Sequence, residues 1–226
     1  MIISVLILFT GTGFDFLQPG EASEEETVNE EVNLPQARKQ ESELGELIYG
    51  RRSVRNFEDK EVPRQKVSDI LWSTDGITVD GVTGPTRATP SAGATDPLVV
   101  YLAASQVENL QDGIYRYNIQ QEELEMIVEG DRLSELAQAG LGQGAIREAP
   151  FSLIITANFA RTTSRYGDSG NRYVKIEAGH AAQNANLMAE NLGLSGVIIG
   201  AFNDEEVQKA MGGIGEDPLL IIPMGY

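Results

Sequence analysis

Residues 171–201 read NRYVKIEAGHAAQNANLMAENLGLSGVIIGA and hold the longest regular pattern in the sequence. The pattern predicts one long helix over residues 171–192, which Gly193 ends. Six helix positions carry small residues that let another helix approach closely, namely Ala178, Gly179, Ala181, Ala182, Ala185 and Ala189. We therefore expect a central core helix, and we also interpret the same helix as a homodimer interface.

Helices and strands mix on both sides of this stretch. Apolar strands are predicted at Ser195–Ala201 and Leu219–Met224, and buried ones upstream at Pro97–Ala103 and Phe151–Ala157. A hairpin is predicted from Gly113–Asn118 and Glu122–Val128. The remaining predicted helices are Ser42–Gly50, Pro63–Thr74 and Arg132–Ala139. The mixture indicates an α+β domain rather than a regular βαβ array.

Residues 1–41 are expected to precede the folded domain, which would span residues 42–226. The apolar run within residues 1–17 is too short to span a bilayer and lacks the basic start and the cleavage site of a signal peptide. A frayed or packed strand is therefore favoured over a degenerate export or anchor segment, and we predict a cytoplasmic protein without a stable membrane span. Residues 20–40 hold six Glu and read as a flexible acidic linker.

The charge balance excludes several classes of protein. Thirty-four acidic residues against 17 basic ones give a formal net charge of −17, so the chain should repel nucleic acid. There is no Cys and a single His, His180, which excludes disulfides, thiolate-bound metals and His-rich metal sites. We predict no metal, and any redox chemistry would need a bound organic cofactor.

Three arginines within five residues, Arg51-Arg52-Ser53-Val54-Arg55, form the first candidate site. The planar guanidinium matches phosphate oxygens, and a Ser hydroxyl adds a donor. In an extended turn alternate residues face one side, so Arg51, Ser53 and Arg55 could converge on one anion. The motif alone equally fits a solvated turn whose arginines pair with the many Glu residues.

Two further segments carry exposed backbone groups. The first is Arg87–Ala94, RATPSAGA, where small residues let a flat ring lie against the chain; taken alone it also fits a surface loop. The second is Gly193–Ala201, whose N–H groups could bond the polar edge of an organic cofactor, although a plain turn into a core strand gives the same pattern.

Two other motifs are set aside. Gly140–Ala145, GLGQGA, mimics a dinucleotide fingerprint but follows a helix rather than a strand, so no Rossmann site is expected. His180 lies among Ala and Gly on a helix, which is typical of a structural hydrogen-bonding residue rather than a partner for a Ser nucleophile.

Taken in order, six stretches resemble the nitroreductase superfamily: RRSVRNF (51–57), ATPSAGATDPLVVYL (88–102), GIYRYN (113–118), RYVKIEAGHAAQN (172–184), GLSGVIIGAF (193–202) and IIPMGY (221–226). The closest branch contains the dehydrogenases of thiazole/oxazole-modified peptide biosynthesis. The resemblance implies a central, mostly antiparallel sheet flanked by helices. It also implies an intertwined homodimer that binds two FMN molecules non-covalently across its interface.

The resemblance also implies which residues bind the cofactor. Arg51, Arg52, Ser53 and Arg55 would hold the phosphate, the ribityl chain and the pyrimidine edge. Pro90, Ser91, Ala92 and Gly93 would come from the partner subunit and cover the ring. Gln143 would meet the pyrimidine, and Gly196, Val197 and Ile198 would present backbone near flavin N5 and O4. No single side chain is assigned as catalytic.

The function implied is an FMN-dependent oxidoreductase that passes hydride through flavin N5 from NAD(P)H to a small electron-poor acceptor. One alternative is a flavin-dependent dehydrogenase of a modified peptide or heterocycle, and another is a non-catalytic flavin-binding or sensor homologue. Azole-forming relatives carry a Lys-Tyr pair where Arg165-Tyr166 stands here, and Arg stays protonated. Many relatives also place basic residues near the C-terminus, which this sequence lacks before Tyr226, so a weaker hold on FMN is expected.

Overall fold

The computed structural model describes residues 34–81 and 84–226. Within them, one compact unit spans Arg38–Tyr226. The apolar segment predicted at residues 1–17 and most of the acidic linker lie outside the described residues. Among the described helices, none is both long and apolar enough to cross a membrane.

The chain alternates between helices and strands. The helices are α1 (Glu43–Gly50), α2 (Arg64–Asp75), α3 (Leu133–Ala139), α4 (Gly144–Glu148), α5 (Phe159–Tyr166), α6 (Ser169–Asn191) and α7 (Asp204–Ala210). The strands are β1 (Ile77–Gly81), β2 (Gly84–Arg87), β3 (Leu98–Ala104), β4 (Gly113–Asn118), β5 (Glu123–Glu129), β6 (Phe151–Ala157), β7 (Ser195–Gly196) and β8 (Asp217–Gly225). A short 3₁₀ turn occupies Ala92–Ala94.

Six strands form the central sheet in the order β5-β4-β3-β6-β8-β7. Every pairing between these strands is antiparallel. β3 and β6 are buried along their whole length, which is why both read as continuous apolar runs in the sequence. β1 and β2 make a separate antiparallel hairpin.

Helices cover both faces of the sheet. Along β3, Val100 and Leu102 face a core that includes α2 and α6, whereas Val99 and Tyr101 face a second core that includes α3, α4 and α7. This alternation follows from the two-residue period of a strand. The predicted α+β architecture, an antiparallel sheet flanked by helices, is confirmed.

The long helix α6 lies in the first core. Its buried positions include Val174 and five alanines, Ala178, Ala181, Ala182, Ala185 and Ala189, and it packs against α2. Small side chains allow this close packing. The prediction of a core helix is confirmed.

The prediction of a strand over Ser195–Ala201 was wrong. Only Ser195 and Gly196 form a strand, and Ile199 adds one isolated bridge to Ile221. Val197 and Ile199 still donate to carbonyls of β8, but the pairing is not continuous, so the apolar run Gly196–Ile199 stays beside the sheet without forming a full strand. Four further features, namely α4, α5, α7 and the β1–β2 hairpin, were not predicted.

Candidate functional site

The arginine motif lies beside β7. α1 ends at Gly50, and the chain then runs extended from Arg51. Ser53 forms a parallel bridge with Gly196, and the Val54 N–H donates to the Gly196 carbonyl at 3.1 Å. A Cβ on Gly196 would lie 2.9 Å from the Pro223 carbonyl oxygen, so this close approach of three backbones requires glycine. The fold thus brings two of the three candidate segments together.

The three arginines of the motif have different surroundings. Nη1 of Arg52 donates to the carbonyls of Tyr49, Gly50 and Arg51 at 2.6, 3.0 and 2.9 Å. These bonds place a cation on the carbonyl end of α1, where the helix dipole favours positive charge. Arg51 and Arg55 make no side-chain hydrogen bond or ion pair within the described residues. The pairing of these two arginines with Glu, the alternative that the motif left open, is not formed there.

The segment after Gly196 alternates between buried and exposed residues. Val197 and Ile199 are buried, and their N–H groups donate to the carbonyls of Pro223 and Ile221 at 3.3 and 2.9 Å. Ile198 and Gly200 are exposed between them, and their N–H groups reach no carbonyl of the described residues. Of the three residues predicted here, Val197 therefore has its amide already bonded, and Ile198 has it free. Gly200 was not among the predicted site residues, although the two-residue alternation of the segment indicates that its amide faces outward as that of Ile198 does.

Gln143 connects this segment to the turn between α3 and α4. Its Nε2 donates to the carbonyls of Gly140 at 2.9 Å and Ala201 at 3.1 Å. Both amide hydrogens are thus used, so the side chain offers only its oxygen to a ligand. The GLGQGA motif forms this helix-to-helix turn, as expected for a sequence that is not a Rossmann fingerprint.

The Pro90–Gly93 loop is built against α5 and α6. The Ser91 hydroxyl accepts from the Asp96 N–H at 2.9 Å. Gly93 has a left-handed φ of +61°, and its carbonyl accepts from Arg165 Nη1 at 2.8 Å. The Tyr166 hydroxyl lies against the same glycine. Arg165 and Tyr166 are therefore structural neighbours of the loop.

The loop contacts α6 at a different place from the Gly196 segment. Its 3₁₀ turn packs on α6 near Glu177, whereas Asn186 of the same helix lies against Gly196. These two helix positions are nine residues apart, which corresponds to about 14 Å along the axis. The start of the loop segment lies closer to Asn186, because Asn184 Nδ2 donates to the Ala88 carbonyl at 3.1 Å.

Two carboxyls are buried beneath the loop, which the sequence did not indicate. Asp75 at the end of α2 and Glu177 are each 2% exposed. Burial raises the pKa of Asp75 to about 7, with Arg87 opposing and Glu177 and Asp96 adding to the rise. Burial likewise raises the pKa of Glu177 to about 7, against the hydrogen bonds from Ser91 and Ala92.

These raised pKa values make the stability of the fold depend on pH. The carboxyl of Glu177 keeps its proton in the folded state to about pH 7 but loses it near 4.5 when unfolded, so its contribution is full below 4.5 and lost as pH rises to 7. We expect Glu177→Gln to match wild type at pH 5 and to gain about 2 kcal/mol in free energy of unfolding at pH 8. Urea titrations at both pH values measure this. Glu123→Gln, on the exposed strand β5, serves as control, and a pH-independent difference would contradict the assignment.

The surroundings of His180 and of Tyr226, the residue after β8, differ from those predicted from the sequence. His180 is exposed on α6 and makes no side-chain hydrogen bond within the described residues, so the structural bond expected for it is not formed there. Lys60 and Lys66 place their Nζ atoms 3.7 and 4.8 Å from the centre of the Tyr226 ring. The sequence has no basic residues just before Tyr226, but two lysines from other parts of the chain lie beside this residue.

Comparison with known proteins identifies the family. Residues 48–226 match the model of the nitroreductase family. A Methanocaldococcus jannaschii protein, provisionally named as a nitroreductase, is 40% identical over 195 residues, which cover 86% of this chain and 96% of that protein. The microcin B17-processing protein McbC of Escherichia coli is 29% identical over 130 residues, 55% of this chain and 48% of McbC. The chain therefore belongs to the nitroreductase family.

Solved structures agree with this assignment. A Ralstonia eutropha protein provisionally described as a nitroreductase superposes with a TM-score of 0.70 at 26% identity, covering 85% of this chain and 87% of that one. An NADPH:FMN oxidoreductase from Vibrio harveyi, solved with NAD+, gives 0.57 at 18% identity over 81% of this chain and 68% of that one, a likeness of fold alone. The predicted nitroreductase-like fold is confirmed, and the match to McbC fits the predicted branch. The chain is thus an oxidoreductase by family.

Proposed function

We propose that the protein is an FMN-dependent oxidoreductase that takes hydride from NAD(P)H and reduces a small electron-poor acceptor. The observation that carries the proposal is that the arginine motif lies beside the Gly196 segment through the Ser53–Gly196 bridge. Arg51 and Arg55 have no other partner within the described residues, and the N–H groups of Ile198 and Gly200 bond no carbonyl there. Arginine forks suit a phosphate, and backbone donors suit the polar edge of a flavin. A bound FMN would supply hydride transfer through its N5.

The residues present fit such a ligand by charge and by their hydrogen-bonding groups. Arg51 and Arg55 stand out as cations in a chain of formal charge −17, and they flank Ser53, which bridges to Gly196. The exposed residues Ile198 and Gly200 offer backbone donors. Gln143 adds an amide oxygen at the Ala201 end of the same segment. Ser53 is exposed beside Gly196 and provides a hydroxyl.

A homodimer would complete this site. The Pro90–Gly93 loop contacts α6 about 14 Å along the helix axis from Asn186, which lies against Gly196, and in the proposed dimer a second copy supplies this loop. α1 buries none of its residues and exposes Leu44, Ile48 and Tyr49. On the outer face of α6, Ile176 is 49% exposed and an added Cβ on Gly179 would meet nothing within 4 Å. Such an uncovered apolar surface supports a protein interface.

The proposed dimer can be tested by the molecular mass of the protein in solution. We expect the wild type to elute, with light-scattering detection, at twice the 24.5 kDa of one chain. Ile176→Glu should weaken the dimer by about 3 kcal/mol, because an unpaired carboxylate would be buried in the interface, and FMN should be lost with it. Met126→Glu, an equally apolar exposed residue on β5, should remain dimeric. A monomeric wild type that retains FMN would contradict the shared site.

The direct test of function is the absorption spectrum of the purified protein before and after NADH or NADPH is added. We expect flavin bands that bleach on addition and return when an electron-poor acceptor such as a nitroarene is supplied. Bands that do not bleach would favour a non-catalytic flavin-binding protein. A colourless protein that takes up no added FMN would reject the proposal.

Oxidation of a modified peptide is the second candidate, favoured by the match to McbC. Arg165 argues against it as a proton acceptor, because the guanidinium stays protonated and donates to the Gly93 carbonyl at 2.8 Å. An assay that shows azoline oxidation without added nicotinamide would reverse this preference.

A further inference from the structure

The central sheet opens between two of its inner strands. The ladder between β3 and β4 stops at Tyr101↔Arg116, although β3 begins three residues earlier, at Leu98, and β4 continues to Asn118. Beyond the ladder, β3 still pairs with β6, and β4 still pairs with β5. The two strands therefore diverge, and a cavity of about 240 Å³ lies where they separate.

Three arginines from separate parts of the chain line this cavity. Arg87 is the last residue of β2, Arg116 belongs to β4, and Arg161 belongs to α5. Among the described residues that line the cavity, Glu125 is the one carboxylate, although the whole chain holds 34 acidic residues against 17 basic ones. The local balance of charge is thus the reverse of the balance in the whole chain, and it favours an anion.

The three guanidinium groups are held in place without losing most of their donors. Arg87 and Arg161 each donate from Nη1 to a backbone carbonyl, at 3.2 and 2.8 Å. Arg116 Nη2 forms an ion pair with Glu216 Oε1 at 3.8 Å, which is longer than a hydrogen bond. Because a guanidinium carries several N–H donors, each of the three groups has donors left for a ligand.

Neutral polar groups add to the lining. Tyr117 is 6% exposed, and its hydroxyl has no hydrogen-bond partner within the described residues, whereas the hydroxyls of Tyr101 and Tyr115 both donate to an acceptor. A buried tyrosine hydroxyl usually has a partner, so the Tyr117 hydroxyl remains available to a ligand. Asn118 Oδ1 accepts from the Gln120 N–H at 3.1 Å, which leaves the amide nitrogen of Asn118 as a donor.

We propose that this cavity binds the phosphoryl group of a small molecule. One arginine fork matches both oxygens of a carboxylate, whereas three forks from three elements match the several terminal oxygens of a phosphate or pyrophosphate. The volume is below the roughly 300–1,000 Å³ of sites that enclose a drug-sized ligand, so the cavity holds this group rather than a whole nucleotide.

The cavity is distinct from the arginine motif of the same chain. The motif lies beside β7, and β3 lies three strands away from β7 in the sheet, which corresponds to about 14 Å. Binding of a phosphoryl group in the cavity therefore requires no flavin, and the inference goes beyond the proposed function.

Two kinds of molecule would supply the phosphoryl group. Arg87 precedes Pro90 by three residues, which span at most about 11 Å of chain. The cavity thus adjoins the loop that the proposed dimer places over the flavin of the opposite subunit, so a nicotinamide dinucleotide is one source. Another phosphorylated small molecule, bound independently of the nicotinamide, is the other source.

Isothermal titration calorimetry with pyrophosphate on the full chain tests the site. Arg51→Ala and Arg55→Ala together serve as the background, so that pyrophosphate is not held at the proposed flavin site. In this background we expect saturable binding that weakens about tenfold in Arg116→Gln and in Arg161→Gln, because each substitution removes charge-assisted hydrogen bonds. Arg147→Gln removes the same charge from the exposed end of α4 and should leave the affinity unchanged.

Three further measurements complete the test. Urea titration should show little loss of stability in Arg116→Gln, whose 3.8 Å ion pair is partly exposed, so its weaker binding would not come from unfolding. Acetate should not compete with pyrophosphate, because a carboxylate engages one fork. Displacement of pyrophosphate by NADP+ would assign the phosphoryl group to the nicotinamide dinucleotide, and binding that NADP+ does not displace would assign it to another small molecule.

Two results would overturn the proposed phosphoryl site. One is equal affinity for pyrophosphate in Arg116→Gln, Arg161→Gln and Arg147→Gln, and the other is the absence of saturable binding at millimolar pyrophosphate. A wild-type protein that binds pyrophosphate in the cavity but takes up no FMN would reject the proposed function and leave the phosphoryl site intact.

Discussion

Alanine at Arg51 or Arg55 is expected to weaken FMN binding by about ten- to a hundredfold, because each substitution removes a charge-assisted hydrogen bond to phosphate worth about 1.5–3 kcal/mol. Both guanidinium groups are free of other partners within the described part of the chain, so the loss should appear in binding rather than in folding. Fluorescence titration of FMN into flavin-depleted protein measures the affinity, and urea titration measures the stability.

Arg52→Ala is the informative comparison within the same motif. The Arg52 guanidinium is bonded to the last carbonyls of α1, so its removal should destabilise the helix end and reduce FMN affinity less than either neighbour. Arg147→Ala, on the exposed end of α4, should change neither quantity. Equal FMN affinity in Arg51→Ala, Arg55→Ala and wild type would remove the phosphate assignment.

Gly93→Ala is expected to have the second large effect, on FMN binding. A side chain at φ +61° costs about 1–2 kcal/mol, and the new Cβ would meet Arg165 Nη1 at 2.7 Å and the Tyr166 hydroxyl. Both atoms end flexible side chains, so Arg165 would turn aside and give up its hydrogen bond to the Gly93 carbonyl. FMN affinity should therefore fall about tenfold, since the loop that would cover the ring loses this bond.

A second glycine separates strain from collision. Gly130 has a φ of +88°, and an added Cβ there would meet nothing within 4 Å. Gly130→Ala should lose stability through backbone strain alone and keep its FMN affinity. If Gly93→Ala binds FMN as tightly as Gly130→Ala does, the loop does not cover the cofactor.

Helices and strands could be predicted where their burial leaves a clear apolar pattern in the sequence. β6 was predicted with its correct bounds, because every residue of Phe151–Ala157 is buried and the sequence is continuously apolar. The helix α5, in contrast, was missed because it buries only Thr162 and carries a polar sequence with two adjacent β-branched residues, Thr162 and Thr163. A short surface helix held by an Asn158 cap has little periodicity to detect.

The candidate site was predictable in its parts but not in its arrangement. The arginine motif and the Gly196 segment both stood out locally, yet their bridge joins residues more than 140 positions apart. The placement of Asp75 beneath the loop with Glu177 is likewise a result of packing α2 against α6. The separate role of Arg52 arises because free carbonyls at a helix end compete for any nearby donor.

The strand order has a consequence for how the chain folds as it is synthesised. β8 lies between β6 and β7 in the sheet, yet it follows β6 by about 60 residues in the sequence. At a translation rate of about 5–20 residues per second, the apolar edge of β6 would stay open for roughly 3–12 s after it leaves the ribosome. During that interval the nascent chain presents a template for strands of other molecules, so chaperone dependence and aggregation at high expression should be set by the arrival of residues 217–225.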